Sequence, residues 1–219
     1  KVDRPLLTEV PKVKKFGAAE LIANLGKGIK LIDARNKADF AAGFIPGSIN
    51  IPGNNAFATW AGWFLEYNEP FIVVAAEEQM EDLTRKLMRI GLDNLIGYVD
   101  NVNDWATHTG QSLETGKVIS VDEFKDLKQQ NNLQLVDLRG ASEYKTAHIQ
   151  GADNIFVGTI EKNLDKISKD RRVVIHCQGG DRAAIAYSIL AKHGYNNVLN
   201  YTAGMNEWIN EGNPVVSES

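Results

Sequence analysis

Val173-Val174-Ile175-His176-Cys177-Gln178-Gly179-Gly180-Asp181-Arg182-Ala183-Ala184 reads as a short β-branched strand, a turn with two glycines, and the opening of a helix. The apolar run suits a strand buried on both faces of a parallel sheet. Residues 183–193 keep apolar side chains at helical spacing and stop at Gly194, a residue suited to a helix C-terminus. In open α/β sheets the carboxyl ends of the strands form the binding crevice, and the following helix points its free N–H groups and positive dipole end there. The single cysteine of the 219-residue chain therefore falls on that crevice.

Gly179 and Gly180 allow backbone angles that other residues resist, so successive amides can curl around a small anion. A helix N-terminus with a neighbouring cation favours a thiolate over a thiol, which makes Cys177 a candidate nucleophile. Arg182 either assists that ionisation or points outward and orients an anionic donor at the rim. A cysteine behind three apolar strand residues can also be a small buried hydrophobe, but the adjoining glycines and arginine belong to an anion site rather than a core. Adjacent strand residues face opposite sides of a sheet, so His176 is expected to be a structural histidine and not a base for Cys177.

Outward from this segment the chain repeats itself. Leu31-Ile32-Asp33-Ala34-Arg35 returns 104 positions on as Leu135-Val136-Asp137-Leu138-Arg139. Phe44-Ile45-Pro46-Gly47-Ser48-Ile49-Asn50-Ile51 answers His148-Ile149-Gln150-Gly151-Ala152-Asp153-Asn154-Ile155 at the same offset. Phe71-Ile72-Val73-Val74-Ala75-Ala76 parallels the cysteine strand, and Trp105 parallels Trp208. A period this long signals duplication of a whole domain, not a solenoid with repeats of roughly 20–50 residues. The expected units are 15–110 and 111–219, joined through the polar stretch 107–112, with 1–14 as an extended lead-in carrying Pro5 and Pro11. Ser120 followed by Glu123 has the spacing of a capping box and predicts a helix start. Strands alternating with helices make each unit an α/β domain with a central, mostly parallel sheet between helices.

In the first unit Ala76 takes the cysteine's place and Glu77-Glu78-Gln79-Met80-Glu81-Asp82 follows it. That stretch offers no nucleophile, and its acids repel anions where the other loop attracts them. Phe57, Trp60, Trp63 and Phe64 stand at helical spacing; such a stripe is more often core than the lining of a donor pocket between the units. Asp137 and Arg139 are expected to tie neighbouring loops together, and His148 to be a hydrogen-bonding residue that locks the fold.

A net charge of −4, with no basic run longer than 12–15, argues against a nucleic-acid partner. No apolar stretch approaches the roughly 20 residues that span a bilayer, so no membrane is expected either. A lone thiol suits a reducing compartment, and a cytoplasmic protein is inferred. His108, His148, His176 and His193 lack metal-ligand spacing, so no metal is expected.

Cys177-Gln178-Gly179-Gly180-Asp181-Arg182 resembles the Cys-x-x-Gly-x-Arg loop of the rhodanese family. Asp137-Leu138-Arg139, Glu143-Tyr144, the 148–155 segment, Gly194-Tyr195, Gly204-Met205 and Trp208 are similar to that family's other marks, and Ala203-Gly204 stands where many relatives carry two glycines. The resemblance implies two tandem rhodanese-like domains, the first a degenerate copy with a structural or docking role. It also implies that Cys177 takes a sulfane sulfur from thiosulfate or a small persulfide, holds it as a persulfide, and passes it to a thiol or other thiophilic acceptor. Amides of Gln178, Gly179, Gly180, Asp181, Arg182 and Ala183 would stabilise the outer sulfur anion, with no cofactor. Arg4-Pro5-Leu6-Leu7, followed by an inactive and then an active copy, resembles the tail of fusion proteins in which a metallo-β-lactamase-fold persulfide dioxygenase precedes tandem rhodanese domains. That resemblance implies an upstream domain and a part in sulfide detoxification. Two other readings stand beside this one. A phosphatase or arsenate reductase of this fold would carry five residues between cysteine and arginine, where this loop has four. A pair of interaction modules would leave Cys177 vestigial.

Overall fold

In a computed structural model, residues 9–130 and 132–218 are described; most of the 1–14 lead-in, including Arg4-Pro5-Leu6-Leu7, lies outside them. The first unit runs α1 (Ala18–Leu25), β1 (Lys30–Asp33), α2 (Lys37–Ala42), β2 (Ile49–Asn50), α3 (Phe57–Phe64), β3 (Phe71–Val74), α4 (Met80–Arg89), β4 (Leu95–Val99) and α5 (Val102–Thr109). The second repeats the scheme as α6 (Val121–Lys128), β5 (Leu133–Asp137), α7 (Ala141–Thr146), β6 (Ala152–Asn154), β7 (Arg172–His176), α8 (Asp181–Lys192), β8 (Val198–Tyr201) and α9 (Gly204–Asn210). A run of 3-10 turns, Val157–Lys166, takes the place of α3.

Each unit holds a four-stranded sheet, in the orders β2-β1-β3-β4 and β6-β5-β7-β8, with every pairing parallel. Strands such as Phe71–Val74 are apolar throughout because helices cover both faces of a parallel sheet, and all four of these residues are buried. The duplication extends to individual hydrogen bonds. Asp33 pairs in register with Asn50, and Asp137 with Asn154. In the first unit the asparagine Nδ2 donates to the Asp33 and Arg35 carbonyls, and in the second to those of Asp137 and Arg139. Arg35 clasps Asp33 and reaches the Gly43 carbonyl; Arg139 clasps Asp137 and reaches the Ala147 carbonyl.

α6 begins at the Ser120–Glu123 capping box that the spacing predicts. The join differs from the expectation. α5 continues through Thr109 and closes on Gly110 in the left-handed conformation, so 107–109 are helical. The crossing segment starts at Gly110 and is itself bonded, Glu114 to Phe44 and Val118 to Asn200. Polar composition marked this stretch as a linker, but polarity does not distinguish a last helical turn from coil.

The two units share a core. α8 buries eight consecutive residues, Ala183, Ala184, Ile185, Ala186, Tyr187, Ser188, Ile189 and Leu190. A helix apolar on all sides must be covered on all sides, and α8 packs on β7 and β8 of its own sheet and on β2 of the first unit. Inside that contact the Asn50 N–H donates to Ser188 Oγ at 3.0 Å. The aromatic stripe divides: Phe57 and Phe64 are core, whereas Trp60 and Trp63 lie against Phe156 of the second unit. The stripe is thus part core and part inter-unit contact. No helix among the described residues is long and apolar enough to cross a membrane.

Candidate functional site

Cys177 follows the last residue of β7, and α8 opens four positions later at Asp181. The thiol is 1% exposed and free. Its sulfur accepts the Gly180 N–H at 3.1 Å. The turn that allows this puts Gly180 at φ 99°, where a Cβ would come within 2.2 Å of the Thr202 carbonyl oxygen. Only glycine fits that position without moving backbone.

The loop carbonyls are held away from the sulfur. The N-terminal amides of α9 donate from Met205 to the Cys177 carbonyl at 2.9 Å and from Asn206 to the Gln178 carbonyl at 3.0 Å. The Gly179 carbonyl receives the Lys37 ammonium, from the first unit. In a planar trans peptide the C=O and the following N–H point in opposite directions, so anchoring three successive carbonyls turns the amides of 178, 179 and 180 the other way. Of these, the Gly180 N–H donates to the Cys177 sulfur.

Arg182 lies on the first turn of α8. It forms a two-pronged ion pair with Glu143, Nη1 to Oε2 at 2.5 Å and Nη2 to Oε1 at 2.8 Å. Burial pulls the guanidinium down, but the Glu143 hydrogen bonds and the nearby Cys177 sulfur outweigh it and leave its pKa above the ordinary value. Both guanidinium nitrogens that hydrogen-bond do so with Glu143. The same pair holds the Glu143 carboxyl below the usual carboxylate range, hydrogen bonding to Arg182 being the chief cause.

Asp137 is fully buried and Arg139 is 3% exposed. Beyond clasping Asp137, Arg139 donates from Nη1 to Gln178 Oε1 at 3.3 Å, while Gln178 Nε2 donates to Asn206 Oδ1 at 2.6 Å. The Asp-x-Arg pair thus ties the ends of β5 and β7 to α9, a structural role. His148 stacks on Tyr144, and its Nδ1 lies 2.9 Å from the Tyr144 carbonyl. Asp181 faces the first unit, 3.5 Å from Lys37 Nζ and accepting from Asn54 Nδ2 at 2.7 Å. Ala183 sits one helical position past Arg182 with its methyl in the core.

His176 is fully buried, with Nε2 3.9 Å from Asp137 Oδ2. Burial pushes its pKa below the ordinary value near 6.5, against the pull of the Asp137 carboxylate, and the ring stays neutral. Because the folded value lies below the unfolded one, this histidine's contribution is complete above about pH 6.5 and is lost as the pH falls toward the folded value. The unfolding free energy of the protein is therefore expected to fall between pH 7.5 and 5.5, and less steeply in His176→Leu. The difference is at most ~1.4 kcal/mol per pH unit, read by urea titration. Equal slopes would refute the assignment.

In the first unit, Ala76 leads into the 3-10 turn Glu77–Gln79 and then α4. The helical turn starts one residue past Ala76, so no loop remains to form a cradle. A cleft of about 710 Å³ opens nearby, lined by residues 9–13, Glu77, Met80, Thr84, Arg85 and Tyr98. It has no nucleophilic thiol.

Sequence reasoning did not assign Glu143 or Lys37 to the site. Glu143 had a signal, since it lies three residues past Gly140 at capping-box spacing and accepts that N–H at 3.1 Å. Lys37 had none, being 142 positions from Gly179.

The rhodanese-like domain family matches residues 17–108 and again 120–211. A sulfurtransferase of Allochromatium vinosum is 36% identical over 83 residues, 38% of this chain and 78% of that protein. A thiosulfate:glutathione sulfurtransferase of Saccharomyces cerevisiae is 27% identical over 129 residues, 51% and 92% of the two chains. A candidate sulfur carrier protein of Bacillus subtilis is 29% identical over 102 residues, and the chain spans only 55% of its length. Among solved structures, a rhodanese-like domain protein from Staphylococcus aureus is 31% identical with a TM-score of 0.43, covering 47% of this chain and 99% of that one. With both sheets, both Asp-x-Arg clasps and the cysteine loop accounted for by one repeated domain, the chain belongs to the rhodanese family.

Proposed function

We propose that the second unit is a sulfurtransferase that carries a sulfane sulfur on Cys177. The observation that carries this reading is the Cys177 sulfur accepting the Gly180 amide at the start of α8, whose first turn also carries Arg182 clasped by Glu143. In the first half-reaction the Cys177 thiolate attacks the outer sulfur of thiosulfate or of a small persulfide. An S–S bond forms at Cys177 as the donor's own bond breaks, and sulfite or a thiolate leaves with the electron pair. In the second, a thiolate, sulfite or cyanide attacks the outer sulfur, and the Cys177 thiolate is the leaving group. Each step exchanges one bond to sulfur for another, so no external oxidant or reductant is needed. The outer persulfide sulfur is anionic, and loop amides such as the Gly180 N–H are the kind of donor that such a charge requires.

The test is to incubate the protein with thiosulfate and weigh it. With a single cysteine per chain, the expected result is the mass of one added sulfur atom, removed again by cyanide. An unchanged mass would overturn the proposal. The proposal extends to sulfide and persulfide detoxification behind an upstream dioxygenase domain, a reading supported by the order of the two copies and by 4–7, which fall outside the described residues. The reading frame upstream of Lys1 tests that extension.

A further inference from the structure

Of the three loop carbonyls that must be held outward, two are anchored by α9 of the same unit and the third by Lys37 of the unit that has no nucleophile. That third carbonyl belongs to the 179–180 peptide. Its other end is the Gly180 N–H that donates to Cys177 Sγ. One planar peptide thus joins an ammonium on its oxygen to the sulfur on its nitrogen side. A cation on a carbonyl oxygen draws electron density along the amide and makes the N–H a stronger donor. A stronger donor stabilises anionic sulfur more than neutral thiol.

Two features separate this from an ordinary inter-unit ion pair. Lys37 approaches the Gly179 carbonyl more closely than the Asp181 carboxylate at 3.5 Å, and a partly exposed pair at that distance contributes little by itself. The residue at 180 must also be small, since a Cβ there would lie 2.8 Å from Lys37 Nζ. The other charged groups near the loop are committed elsewhere. Arg182 is paired with Glu143 and Arg139 with Asp137, while Asp181 also accepts from Asn54. His176, the last residue of β7, is fully buried, and burial disfavours its charged form. The 104-residue repeat puts Ala141 at the position corresponding to Lys37, so the second unit has no lysine of its own there.

We propose that Lys37 is a positioning residue for Cys177: the degenerate unit reaches across and sets the peptide that stabilises the sulfur anion of its neighbour. The proposal rests on the sulfur-carrying reading of Cys177, and it explains what a copy without a cysteine contributes.

The experiment compares the full chain with Lys37→Met, Lys37→Arg and Ser188→Ala. Two quantities are read: the rate of Cys177 alkylation by iodoacetamide from about pH 5 to 9, and the rate of sulfur uptake from thiosulfate. Lys37→Met is expected to move the alkylation profile to higher pH and slow uptake at neutral pH by roughly 3- to 10-fold, the scale of one weakened hydrogen bond. Lys37→Arg should restore most of both. Ser188→Ala removes the buried acceptor of the Asn50 N–H, loosening the contact between units without touching the loop; its alkylation profile should match wild type. A wild-type profile in Lys37→Met, or the same shift in Ser188→Ala, overturns the proposal. Failure of the wild-type protein to take up sulfur would instead sink the function on which it rests, and the alkylation profiles would still report on Lys37.

Discussion

Cys177→Ser is expected to take up no sulfur from thiosulfate at any time, yet to unfold in urea within about 1.5 kcal/mol of wild type. The two results follow from different properties of one atom. A hydroxyl oxygen can still accept the Gly180 N–H and nearly fills the volume of the sulfur, so the loop keeps its geometry and the buried amide keeps a partner. The alcohol, however, is un-ionised at neutral pH and has no bond to sulfur that thiol exchange could form and break. Arg182 should remain on Glu143, because that pair does not depend on the residue at 177. Intact-mass measurement after thiosulfate gives the first result and urea titration the second. Sulfur uptake by the serine variant would mean that the sulfur is held elsewhere. A much larger loss of stability would mean that Cys177 is chiefly a packing residue.

Arg139→Leu is expected to destabilise the protein by about 3–5 kcal/mol, the usual cost of leaving a buried charge without its partner. Asp137 is fully buried and accepts from Arg139 Nε, Nη2 and the Arg139 backbone N–H. Only the last survives the substitution. The Ala147 carbonyl and Gln178 Oε1 also lose a donor. The first unit supplies an internal control, since Arg35 clasps Asp33 in the same geometry but its side chain is 21% exposed, against 4% for Arg139. Water can reach the first pair more easily. Arg35→Leu should therefore cost less than Arg139→Leu by urea titration. Equal or reversed costs would show that burial does not set the value of the clasp.

Much of this molecule is determined by short stretches of its sequence. The β-branched runs ending on Asp-x-Arg specify strands covered on both faces, and their return after 104 positions specifies two copies of one parallel sheet. The glycines at 179 and 180 permit the turn that brings an amide to the sulfur, and Ala76 running straight into a helical turn removes the site from the first copy. These features lie within a few residues of one another, where backbone angles and side-chain period act directly. Only the tertiary structure decided the rest. Composition could not separate the last turn of α5 from linker, because a polar exposed helix and a polar loop use the same residues. α8 could be read as a helix, but not as the element that joins both units in one core. Glu143 on Arg182 and Lys37 on the 179–180 peptide join residues 39 and 142 positions apart. Such contacts arise from the angle at which finished elements pack, and no local pattern of propensity or spacing carries that angle.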